Sequence, residues 1–158
     1  MRYHVRGAGA SAGPTSPVRR RAQPMPTRYI YSFTEPINPE ELHRLLLQTS
    51  WANDRGPLDI QQMLDRSQIT LGVWHEDRLI AFSRVITDDR YRALIDDVVV
   101  DGAYRKQGIA SEMLERILKR TQHIELVMLD CDSNLVGFYG KFGFDQKGGA
   151  SLELRNRR

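Results

Sequence analysis

The spacing of apolar and polar positions divides this 158-residue chain into an unpatterned start and a regularly punctuated remainder. Residues 1–27 are rich in Gly, Ala, Ser, Pro and Arg, with almost nothing to bury, so they are expected to form a disordered tail. From Arg28 the segment RYIYSF alternates as a short strand does. Asn38-Pro39-Glu40-Glu41 then has the chemistry of a helix start: Asn38 can cap, Pro39 suits the first helical position, and the acids complement the dipole. Leu42, Leu45 and Leu46 form the buried stripe of that helix. A loop over 51–56 leads to a second short helix over 57–66, with Ile60, Met63 and Leu64 inward. ITLGVW (69–74), the polar turn HEDR (75–78) and LIAFSRVIT (79–87) together read as a hairpin. A turn at Asp88-Asp89 brings in RALIDDVVVD (92–101) as the third consecutive strand.

Residues 107 to about 121 carry Ile109, Met113, Leu114, Ile117 and Leu118 at helical spacing. IELVMLD (124–130) has few polar positions, as expected of a strand buried on both faces. A short helix is expected over 134–141, then one or two strands over 144–155 around the turn Lys147-Gly148-Gly149. Antiparallel strands first and a strand–helix–strand crossover afterwards argue for a single α/β or α+β domain over 28–158, one sheet with helices packed on it.

Composition changes this picture little. The hydrophobic fraction of 41% and charged fraction of 27% are those of an ordinary globular domain, and no apolar run approaches the ~18 residues that span a bilayer. The net charge of +3 lies in the tail, where five arginines meet no acid; residues 28–158 hold 18 basic against 20 acidic side chains, a net of −2. Charge therefore gives no support to a nucleic-acid partner. The tail is open to three readings: a start placed too early, with Met25 the true one; an arginine-rich, acid-free transit peptide; or a bland extension. The lone cysteine, Cys131, excludes an internal disulfide. His4, His43, His75 and His123 are scattered without metal-ligand spacing, so no metal is expected.

The stretch VVVDGAYRKQGIA (98–110) joins a β-branched strand to a glycine-containing loop and a helix start. Unpaired amides at a helix N-terminus, a favourable dipole and neighbouring basic side chains are suited to holding a phosphate. The loop is not a P-loop, since no Gly-Lys-Ser/Thr follows, and it lacks the G-x-G-x-x-G of a dinucleotide site.

Arg105, Gly108 and Ala110 fall on the pattern Arg/Gln-x-x-Gly-x-Gly/Ala, and NLVGFYGKFGF (134–144) follows with a Phe-Tyr pair and a later Gly-Phe. Together they resemble the signatures of the GNAT superfamily of N-acetyltransferases. The resemblance implies a mixed, mainly antiparallel central sheet of six or seven strands flanked by about four helices. It also implies acetyl-CoA as donor and a primary amine as acceptor. Carried over by position, the strand Val98, Val99 and Val100 would receive the pantetheine arm. Arg105, Lys106, Gln107, Gly108, Ile109, Ala110 and Ser111 would hold the pyrophosphate, and Asn134 would touch the pantetheine. Gly102 departs from the family by standing where proline is common, and Lys106 by standing where glycine often follows the arginine.

Direct acetyl transfer needs an acceptor for the ammonium proton, a donor aimed at the developing oxyanion, and a proton for the leaving thiolate. By the same resemblance Tyr139 is the general acid, and the alternative is a core tyrosine among Phe138, Phe142 and Phe144. Asp96 is expected as the base, with Asp97 contacting or supporting the substrate. Strand alternation puts these neighbours on opposite faces unless a bulge intervenes, and either could instead pair with Arg84 or Arg92. Trp51, Asn53 and Arg55 lie where the family builds its acceptor wall. Cys131 is not expected to act as a nucleophile.

LIAFSRVITDD and IDDVVVD further resemble plastid and cyanobacterial members of the family, a subgroup associated with acetylating arylalkylamines and protein lysines. A small amine is the expected acceptor, in a cytoplasmic or plastid monomer or homodimer. A protein lysine or N-terminal acetyltransferase is the alternative, and a non-catalytic acyl-CoA-binding regulator is the alternative of another class.

Overall fold

Alternating burial in the middle of the chain organises one sheet, seen here in a computed structural model that describes residues 29–148 and Leu154. The strands are β1 (Tyr29–Ser32), β2 (Ile69–His75), β3 (Arg78–Thr87), β4 (Arg92–Val100) and β5 (Leu126–Leu129), in that spatial order. β1 to β4 pair antiparallel, and β5 joins β4 in parallel. The parallel pairing follows from the connection, because β4 reaches β5 through the helix α3 (Ile109–Arg120) rather than a tight turn. With α1 (Pro39–Leu46), α2 (Pro57–Arg66) and α4 (Val136–Gly140), this is the α+β arrangement expected.

Local chemistry sets the element ends. The Asn38 side chain accepts from the amides of Glu40 and Glu41 at 2.8 and 3.3 Å, capping α1 with Pro39 behind it. The β2–β3 hairpin turns on Glu76 and Asp77 alone, with Glu76 in the left-handed region at φ 54°. At the β3–β4 turn the Asp88 carboxylate accepts the amides of Arg90, Tyr91 and Arg92. Those bonds, the Arg92 one foremost, hold its pKa below the ordinary value.

Each face of the sheet has its own core. Leu71, Val73, Ile80, Val85, Ala93 and Ile95 pack against Ile109, Met113, Leu114 and Ile117 of α3. On the other side Trp74, Leu79, Phe82 and Val99 meet Leu42, Leu45 and Leu46 of α1 and Ile60 of α2. Leu42, Leu46, Ile60 and Phe82 are wholly buried, and each such side chain is worth about 1.5–3 kcal/mol.

Two expectations are corrected. β5 is not buried on both faces: it is four residues long, Leu126 is exposed and its neighbours are half-buried. The reason is position, since among the described residues nothing pairs its outer edge. Five strands stand among the described residues where six or seven were expected. Residues 144–148 of the predicted terminal strands form no strand, and the rest of that segment, like the tail over 1–27 and His4, lies outside the described residues.

Gly72 lies opposite Phe82 in β3, and a Cβ there would run into the Trp74 ring. Gly72→Ala is expected to lower stability by about 1–3 kcal/mol through overpacking, read as a lower urea midpoint at unchanged slope.

Candidate active site

The β4 strand changes phase halfway along. Opposite β3, Arg84 pairs with Asp96 and Phe82 with Val99, so two residues of β4, Asp97 and Val98, face the single Ser83. That is a β-bulge, and Asp97 adopts φ 53° to make it. The Ser83 hydroxyl donates to the Asp96 carbonyl at 3.0 Å, tying the residue opposite the bulge to its start. Ala93 and Ile95 pack towards α3 before the bulge and Val98 and Val100 after it, whereas Val99 packs towards α1. The extra residue therefore puts Asp96 and Asp97 on one face, which strict alternation forbids.

On that face both acids are held by arginine. Arg84 donates through Nε to Asp97 Oδ2 and through Nη2 to Asp96 Oδ2, each at 2.6 Å. Arg55 Nη1 donates to Asp97 Oδ1 at 2.8 Å, and the Asp97 amide donates to Asp96 Oδ1 at 2.9 Å. The Asp97 side chain has no exposure, whereas that of Asp96 is 37% exposed. The Asp97 carboxylate is thus enclosed between two guanidiniums, and of the two acids Asp96 is the one that reaches solvent. Arg55 also lies 5.9 Å from the centre of the half-exposed Trp51 ring, so the loop over 51–56 is fastened to the bulge. Asn53 in the same loop is exposed. A cleft of about 480 Å³ lined by Asp59, Gln62, Met63, Arg66 and Arg84 opens on this side.

Among the described residues, no strand pairs the opposite edge of β4 past the bulge. β5 pairs with it only as far as Ile95 and Leu129. The Asp101 amide bonds the Ile80 carbonyl of β3 at 2.8 Å, and alternation makes Val99 face β3 as well. Val98 and Val100 therefore turn their amides and carbonyls to the uncovered side, where Arg105 Nε reaches the Val100 carbonyl at 3.1 Å. An extended chain could add there as a strand does. Val99, between them, turns its polar groups to β3 instead.

Beyond β4, Asp101 caps a short 3-10 turn over Gly102–Tyr104, and the chain then bends through Lys106 at φ 61° and Gly108 at φ 82° into α3. Gly108 is the N-cap and supplies no side chain, so the amides of Ile109, Ala110 and Ser111 have no partner among the described residues. They fit an anion such as a pyrophosphate. Gln107 is anchored, accepting from Tyr29 Oη at 2.6 Å and donating to the Ala103 carbonyl at 3.2 Å. One of the two departures from the family pattern has a local cause. The Gly102 amide donates to Gln48 Oε1 at 2.9 Å, a bond proline cannot make. Lys106 occupies a left-handed position that glycine takes without strain.

Tyr139 is buried on α4 in the α3-side core, edge-to-face with Phe138 and Phe144 at 5.1 and 6.1 Å. Its hydroxyl has no hydrogen-bond partner among the described residues, and burial, with a smaller contribution from the Cys131 thiol, pushes its pKa up. The Cys131 thiol is itself pushed up, by desolvation first and then by Asp132 and Asp130, which does not favour a nucleophile. Asn134 is exposed in the turn before α4. His43, His75 and His123 bond the Arg55 carbonyl, Tyr104 Oη and Asp89, and no group of metal-ligating side chains occurs among the described residues.

The structure thus gathers Asp96, Asp97, Arg55 and Trp51 on one face and leaves Tyr139 on the other, with the open edge of β4 between the two faces. Sequence reasoning gave Arg84 no more than an ion-pairing role and missed Gln48. The available signal for Arg84 was a single charge inside the apolar run LIAFSRVIT.

Comparison with known proteins agrees with this geometry. The sequence profile of the acetyltransferase (GNAT) family matches residues 30–144. An uncharacterized N-acetyltransferase, ycf52-like, from Prochlorococcus marinus is 30% identical over 137 residues, 82% of this chain and 72% of its own. The chloroplastic GCN5-related N-acetyltransferase 1 of Arabidopsis thaliana is 29% identical over 70% of this chain, which spans 58% of that protein's length. A crystal structure of a GNAT-family protein from Xanthomonas campestris superposes with a TM-score of 0.70 at 26% identity, covering 76% of this chain and 86% of that one.

Lys106→Gly should relieve the left-handed strain of about 1–2 kcal/mol, less the entropy glycine loses. A rise in stability of up to about 1 kcal/mol in a thermal melt is expected, and a fall would contradict the strain.

Proposed function

The chain belongs to the GNAT family of acetyl-CoA-dependent acetyltransferases, and we propose that it acetylates a small primary amine by direct attack in a ternary complex. The observation that carries this reading is the bulge, which presents half-exposed Asp96 beside the uncovered edge of β4. Acetyl-CoA supplies an activated thioester. The amine arrives mostly as ammonium at neutral pH, and Asp96, directly or through water, takes its proton. The Val98 amide, turned to the open edge, is free to meet the developing oxyanion. As the C–N bond forms and the C–S bond breaks, the nitrogen loses its second proton to solvent, while Tyr139 gives its proton to the departing sulfur and regains one from solvent, so one proton is released overall. Lys106 to Ser111 hold the pyrophosphate, Val98 and Val100 pair with the pantetheine arm, and Asn134 borders it.

Support for a small acceptor comes from the half-exposed Trp51, a face on which an aromatic amine can stack, with the open, largely polar cleft of about 480 Å³ beside Arg84. Arg55 and Asn53 complete that wall, and Asp97 supports it from beneath instead of touching the substrate.

Turnover of acetyl-CoA across arylalkylamines, polyamines, amino acids and peptides tests the acceptor class. Small aromatic amines should be the best substrates, a preference for peptides would favour a protein acetyltransferase, and donor binding with no turnover would favour a regulator. Tyr139→Phe should lower turnover by ~10²-fold or more with the acetyl-CoA KM nearly intact, and unchanged turnover would remove Tyr139 from the mechanism. Burial raises the Tyr139 pKa, so its proton-donating form persists above its ordinary ~10. A loss of kcat between pH 7 and 9 would therefore belong to another group.

A further inference from the structure

Arg84 is the one charge inside the apolar run of β3, and its side chain is 15% exposed. Burying a guanidinium costs several kcal/mol unless its donors are used. Here two donors of one planar fork reach two different carboxylates, Nε to Asp97 and Nη2 to Asp96. Each carboxylate has a second anchor, because Asp96 Oδ1 accepts from the Asp97 amide and Asp97 Oδ1 from Arg55. The other side of Arg84 lines the 480 Å³ cleft, so the acid and the proposed acceptor space share a wall.

We propose that Arg84 is a positioning residue for acetyl transfer. It holds the Asp96 carboxylate at the angle from which it meets the amine and, through Asp97 and Arg55, ties that acid to the acceptor loop. The proposal rests on the reading of Asp96 as proton acceptor. Lysine cannot replace Arg84, since one ammonium on a flexible stem does not offer the rigid fork that bridges two carboxylates.

The test is a cycle of wild type, Arg84→Lys, Asp96→Asn and the double variant, each with a thermal melt and separate kcat and KM values. Arg84→Lys keeps the buried charge; Arg84→Gln, run beside it, answers the same question should the lysine variant not fold. The expected result is a kcat lowered about tenfold or more with the acetyl-CoA KM nearly unchanged, and a double variant no slower than Asp96→Asn alone. A folded Arg84 variant with wild-type kcat would overturn the proposal while leaving the role of Asp96 intact. Fully multiplicative losses in the double variant would overturn it too, showing that Arg84 does not act through Asp96. Wild-type turnover in Asp96→Asn would remove the base reading and this proposal with it.

Discussion

A carboxylate with no solvent exposure, Asp97, sits between two guanidiniums, and most of the acceptor side hangs on that contact. Burying an ion is expensive, and removing one partner of a buried pair typically costs about 3–5 kcal/mol. The triad of Asp97, Arg84 and Arg55 therefore resists rearrangement. It fastens three segments distant in sequence: the loop after α1, the middle of β3 and the bulge of β4. Because the bulge inverts the inside-outside phase of β4, the same contact decides which valines enter which core.

The donor side is held differently. Asp101, nearly buried, accepts the Ala103 amide and Arg78, while Gln48 at the end of α1 bonds both Asp101 and the Gly102 amide. The start of the loop before α3 is thus clasped to α1, the helix whose following loop reaches Asp97. Two halves of one site, on opposite faces of the sheet, share α1 and β4 as a frame. A reaction that brings an amine from one side and a thioester along the other uses such a frame directly. The end of β5 at Leu129, opposite Ile95, leaves that part of β4 unpaired among the described residues.

Much of this was legible in the residue order. Asn38-Pro39 marked the start of α1, the leucines marked its buried face, and Arg105 to Ala110 with the Phe138-Tyr139 pair pointed to the family. The adjacent acids raised a conditional question, whether a bulge exists, that alternation alone could not answer. β5 misled because an apolar run reads alike in the middle and at the edge of a sheet, position being set by pairing partners.

The sequence by itself determined the types of the elements from β1 to α4, the start of α3 after Gly108 and the family, since those depend on local propensities and short spacings. Tertiary structure alone decided that Asp96 and Asp97 share a face, that Asp97 is a buried anchor and Asp96 the reachable acid, and that Arg84 bridges them. Those outcomes depend on strand register and on a left-handed φ at Asp97, and both are set by long-range packing.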